Sequence, residues 1–149
     1  MRSTLFFFLL LTLTACASGE PTDPKLEEAA SLHEKALQSE EALRPLLDSL
    51  EQRHNQMSVQ GRALTEAEQS FLQSVSQLQQ RYAQWKEERI EVPGHEHAHH
   101  HDHDHGHDHT HGKKMPEATP EHMLNIQRES LDSILVLRAE AEVLVNKNL

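Results

Sequence analysis

Residues 95–111 read His-Glu-His-Ala-His-His-His-Asp-His-Asp-His-Gly-His-Asp-His-Thr-His, which is ten imidazoles and four carboxylates in one run. No apolar face appears in it at any period, so burial cannot fold it. Neutral imidazole is the commonest protein ligand for zinc, nickel and copper, and alternation at i, i+2 lets neighbouring rings of a flexible chain converge on one ion. The candidate metal ligands are therefore His95, His97, His99, His100, His101, His103, His105, His107, His109 and His111. Proton chemistry is the alternative. Near neutral pH the tract carries about four negative charges, and below the unperturbed imidazole pKa of ~6.5 it gains up to about ten positive ones. That reversal would switch a contact without any metal, and a plain solvated spacer is a third use of the same composition.

A chain of 149 residues has room for one domain, and with aromatics at 4% its core must be aliphatic and modest. Outside Phe6, Phe7 and Phe8 the only aromatics are Phe71, Tyr82 and Trp85. The net charge of -10 opposes binding to nucleic acid and to bare anionic lipid, both of which need a basic surface.

Residues 1–15 have the build of a signal peptide: Arg2 supplies the positive start and an apolar run from Leu5 to Leu13 follows. The run is shorter than the ~20 residues a spanning helix needs. It ends in Leu13-Thr14-Ala15-Cys16, which resembles the lipobox of bacterial lipoproteins. The resemblance implies that Cys16 is acylated and becomes the mature N-terminus, anchoring the chain in the bacterial cell envelope. Ala17 after the cysteine implies the outer membrane, facing the periplasm. An exported protein with a free thiol is the alternative, but a lone cysteine outside the cytoplasm has no disulfide partner. Residues 16–23 then form a lipidated start and tether.

Three helices are expected to position the tract. Asp23-Pro24 opens the first with a cap and a proline at N1, and its apolar stripe runs Leu26, Ala29, Ala36, Leu43, Leu47, Leu50, Met57, with His33, Glu40 and His54 on the same stripe. Pro45 predicts a kink near Glu41, and Gly61 predicts the stop. The capping box Thr65-Glu66-Ala67-Glu68 opens a second helix carrying Phe71, Val75, Leu78, Tyr82 and Trp85 on one face, ending around Glu91 before Pro93-Gly94. Thr119-Pro120-Glu121 opens the third, with Met123, Leu124, Leu131, Ile134, Leu135, Ala141 and Val145 as its apolar arc and Leu137 and Leu144 flanking it. No period-two strand signal is present. The expectation is an all-α, antiparallel, coiled-coil-like three-helix bundle over 24–146, interrupted by a disordered His-rich loop over 93–118, with a two-chain assembly as the alternative.

Reflection about the first connection places positions whose numbers sum to about 125 side by side in the antiparallel pair, so His33 lies beside about residue 92. The third helix starts at that same end. His33, His95 and His122 should therefore share one end, with His54 at the other. This makes His33 and His122 candidates for an additional, helix-borne metal site, with Glu34 or Glu121 as oxygen ligand or supporting partner. Helices of ~26 residues span ~40 Å, so the tract should hang back toward the lipid surface, where it suits delivery to a metal transporter.

Leu32-His33-Glu34, Tyr82-Ala83-Gln84-Trp85 and the Glu129 region resemble, in order, small helical envelope lipoproteins of unassigned activity, some carrying a viral A-type inclusion protein label. Most of the methionines typical of that pattern are absent here, with Leu37 and Tyr82 in their place, so the resemblance supports the bundle and the lipoprotein and little else. The tract itself is similar to loops of bacterial zinc-binding proteins and zinc transporters, which implies zinc first, with nickel or copper next. Catalysis is not expected: no phosphate loop, His-Glu-x-x-His helix or nucleophile elbow occurs. The expected function is a membrane-anchored lipoprotein that binds, buffers or delivers divalent transition metal. The alternative is a non-catalytic helical scaffold that docks a helical partner and uses the tract as a spacer or pH-responsive linker.

Overall fold

The computed structural model describes residues 23–59, 61–95 and 113–147. They are mostly helical, in three helices: α1 (Pro24–Ser58), α2 (Glu66–Glu88) and α3 (Pro120–Val145). Each starts where a side chain satisfies the first free N–H groups. Asp23 accepts from the Lys25 N–H at 2.8 Å, and Thr119 accepts from the His122 N–H at 3.3 Å. Thr65 and Glu68 exchange their two bonds as a capping box. α1 continues through Pro45 and ends at Ser58, and the connection turns on Gly61, whose φ of 64° is left-handed.

α1 and α3 run side by side in the same direction. Near their starts Lys25 pairs with Glu121 and Arg128 with Glu28. Near their ends the Arg53 guanidinium donates to the carbonyls of Val145 and Lys147, both at 2.9 Å, and caps the carbonyl end of α3. Ala29, Ala36 and Ser39 of α1 and Ala141 of α3 are small and buried, and these two helices form the closest pairing of the three. α2 runs the other way, its Phe71 under the Arg53 guanidinium and its far end at Glu40.

The core is divided. A larger cluster joins Leu43, Leu47 and Leu50 to Phe71, Val75, Leu78 and Trp85 and to Ile134, Leu137 and Ala141. A smaller one, at the start of α1, joins Ala29, Met123, Leu124 and Val92. The arc expected for α3 shifts by a small rotation: Leu137 is buried and Leu135 is exposed. Ile134, Leu137 and Ala141, spaced three and four, turn toward both neighbours, and Leu135 lies outside that line.

Two features depart from the sequence expectation. α2 stops at Glu88, and residues Ile90–Glu91 (β1) pair in parallel with Lys113–Lys114 (β2), Ile90 opposite Lys113 and Glu91 opposite Lys114. A two-residue strand is too short to display a period, which is why no strand was expected. The interval 93–118, expected as one disordered loop, has structured ends: β2 lies within it and Ala118 packs on the smaller cluster.

The larger cluster also encloses a charge. Glu40, 3% exposed, accepts from the Tyr82 hydroxyl at 2.7 Å and from Arg89 at 2.9 Å, with Arg44 at 3.3 Å. A carboxylate so removed from water is tolerable only when paired this fully. Burial, and then the bond to Glu40, push the Tyr82 phenol up to about 12. The folded value lies above the unfolded one of ~10, so this contribution to stability is complete below that pH and is lost as pH rises toward the folded value. Ultraviolet difference titration of the single tyrosine should therefore show late ionisation. Glu40→Gln should bring it earlier and lower the unfolding free energy by about 3–5 kcal/mol in urea, by removing the buried charge that Tyr82, Arg44 and Arg89 share.

Candidate metal centre

His33 and Gln127 form a polar layer between the two apolar clusters. His33 follows Ala29 and precedes Ala36 on the buried stripe of α1; Gln127 follows Met123 and precedes Ile134 on that of α3. Both are almost wholly buried, at 2% and 0% exposure. The Gln127 amide nitrogen donates to the Ile90 carbonyl at 2.7 Å. Since a carbonyl can only accept, this fixes the amide, and its oxygen must be the atom facing His33 Nδ1 at 3.1 Å. Nδ1 therefore carries the hydrogen. The other ring nitrogen, Nε2, faces a carboxylate oxygen of Glu91 at 3.3 Å. With a proton on Nε2 as well, the ring and Glu91 form a charged pair there.

The same contacts hold the base of the His tract. Lys113 N–H donates to the Arg89 carbonyl at 2.8 Å, closing β1 on β2. Parallel strands require a crossover connection, and here residues 92–112 are that crossover. Its first turn, Val92-Pro93-Gly94-His95, has Gly94 at φ 79° and a bond from His95 N–H to the Val92 carbonyl at 3.1 Å, the signature of a type II turn. Val92 is fully buried and seats the turn in the smaller cluster. His95 Nε2 stands 4.0 Å from a carboxylate oxygen of Glu27 in the first turn of α1.

Of the residues expected to act, His95 is described at the start of the tract. Cys16, His97, His99, His100, His101, His103, His105, His107, His109 and His111 lie outside the described residues. His33 meets Glu91, close to where the hairpin reflection puts its neighbour. The oxygen partner is not the expected Glu34 or Glu121, since Glu34 accepts from Gln38 on its own helix and Glu121 pairs with Lys25. His122 lies in the first turn of α3 with its side chain exposed, on a different face from Gln127. Among the described residues no group of three or more His, Cys, Asp or Glu side chains is arranged to hold a metal ion. Gln127 was missed by the sequence reading, although it sits four residues after Met123 on the buried stripe.

Removing the layer should be costly. Gln127→Leu leaves the Ile90 carbonyl and His33 Nδ1 without their buried partner, and we expect a loss of about 2–5 kcal/mol in chemical denaturation. Hydrogen exchange should speed up first in residues 90–92 and 113–114. An unchanged midpoint would contradict the role of Gln127. A scan against protein-family models finds no match, and searches of curated proteins and of solved structures find none.

Proposed function

We propose that this protein is a membrane-anchored envelope lipoprotein that binds, buffers or delivers divalent transition metal, zinc first, through its His-rich tract. In this reading Cys16 is acylated, the three helices form an antiparallel bundle, and the tract is slung from the end of the bundle nearer the lipid. No helix among the described residues is long and apolar enough to cross a membrane, so the hold on the bilayer would rest on the acyl chains. The observation that carries the proposal is the density of imidazole in one crossover, ten rings in residues 95–111. Imidazole selects borderline metals over magnesium and calcium, which prefer oxygen ligands. Closure of β1 on β2 adds a second support, since a loop tied at its base loses less entropy when its rings converge on an ion. The partner would be a metal transporter or another apo-protein that accepts the ion.

A scaffold reading is favoured by one specific feature. Val136 and Val143, seven residues apart on α3 and 53% and 70% exposed, border a groove of about 900 Å³ whose α2 side carries Gln77, Gln80 and Gln84. A partner helix would fit such a stripe, and the tract would then serve as a spacer.

Calorimetric titration of the acyl-free chain with zinc, nickel and copper separates the two. At pH about 7.5 we expect several ions per chain, and at about 5.5 binding at least about tenfold weaker, because protons compete with metal for imidazole nitrogen in acid. Deleting residues 95–111 should remove most of that heat. A scaffold would show no heat with any of the three ions and would keep its partner after the deletion.

A further inference from the structure

The twelve residues 69–80 of α2 contain no Asp, Glu, Lys or Arg, in a chain that is 26% charged. No other stretch of the three helices stays uncharged for so long. The segment buries Phe71, Val75 and Leu78 on its inner side. Its outer side is glutamine and serine, with Gln73, Gln77 and Gln80 exposed. Across the groove on α3 stand the exposed Val136 and Val143. The two charged residues in the groove's lining, Arg81 and Glu140, pair with each other. A helix face open to water ordinarily carries charge of both signs, whereas depletion of charge around an apolar centre is the composition of a contact surface.

We propose that this face pairs with the same face of a second copy of the chain, in a twofold dimer. Charge decides the occupant. Each copy carries a net charge of -10, so two copies can approach only where carboxylates do not meet carboxylates, and residues 69–80 supply such a surface. α1, by contrast, carries acidic residues from Glu27 to Glu51. Glutamine suits self-pairing, because its amide both donates and accepts and an identical amide is its complement; a carboxylate has no such match in its own copy. The two valines supply the apolar contact. From residue 69 to 84 the face is ~24 Å long and two helices, ~20 Å, wide, so a twofold contact would bury on the order of 1,000 Å² in total, the range of weak, reversible complexes. The dimer goes beyond the metal reading and does not rest on it, and the helical partner of the scaffold reading becomes this chain itself.

Sedimentation equilibrium of the acyl-free chain from about 5 to about 500 μM reads the association directly. A chelator is present throughout, so that no metal ion bridges two tracts. The expected result is a reversible monomer–dimer equilibrium. Val143→Glu and Gln77→Glu each place a carboxylate in the face and should weaken the dimer about tenfold or more, with helix content and melting unchanged because both positions are exposed. Val59→Glu adds the same charge at a valine 81% exposed, just past the end of α1 and outside the face, and should leave the dimer intact. A chain that stays monomeric over the whole range overturns the proposal and leaves the groove to a helix of another protein. An equilibrium insensitive to Val143→Glu and Gln77→Glu, one that Val59→Glu weakens equally, or an assembly larger than a dimer overturns it too. With metal absent, none of these outcomes bears on the imidazoles, so the dimer and the metal reading can fail separately.

Discussion

One buried hydrogen-bond chain, from His33 through the Gln127 amide to the Ile90 carbonyl, ties three parts of the molecule at a single level. An apolar layer there would pack in several registers, because leucine contacts slide. A side-chain amide with two obligatory partners does not slide. Misregistry by one turn would leave an amide, a ring nitrogen and a backbone carbonyl buried without bonds, at about 1–3 kcal/mol each. The layer thereby fixes α1 against α3 and also fixes where the chain leaves α2, which is where the tract begins. Buried polar residues in helix seams are best attested in this register-setting role.

Glu40 does for α2 what His33 does for β1. It lies seven residues further along the same stripe and receives Tyr82 and Arg89 from the end of α2. Arg89 also lends its carbonyl to Lys113 N–H. The two ends of the crossover are thus held by groups that are themselves held, and the Trp85 indole, donating to the Ser130 carbonyl at 3.0 Å, adds a direct bond from α2 to α3. A segment of imidazole and carboxylate cannot fold itself by burial. Residues 89–95 and 113–114, on either side of it, are held by the contacts just named.

Much of this was legible in the residues. Caps at Asp23, Thr65 and Thr119 are local chemistry and gave the helix starts. His33 and Glu40 fell on the apolar stripe of α1, and reflection through the hairpin put the residues after α2 beside His33. Gln127 was not recognised, because an amide side chain interrupts the apolar pattern; only its place four residues after Met123 marks it. The β1–β2 pair could not be read, because two residues show no period and their partner lies beyond the tract. The burial of Leu137 in preference to Leu135 depends on α3 packing against two helices at once. Glu91, an ordinary surface residue by composition, acquires its meaning only from the ring opposite.

The central claim is that imidazoles of this chain hold a divalent ion. X-ray absorption at the zinc edge, on full-length protein loaded with zinc and passed through gel filtration, tests it most directly. The account predicts retained zinc with a nitrogen and oxygen shell at ~2.0–2.1 Å and the outer-shell scattering of two or more imidazole rings. A protein that emerges free of zinc, or a spectrum of the hydrated ion, would contradict it.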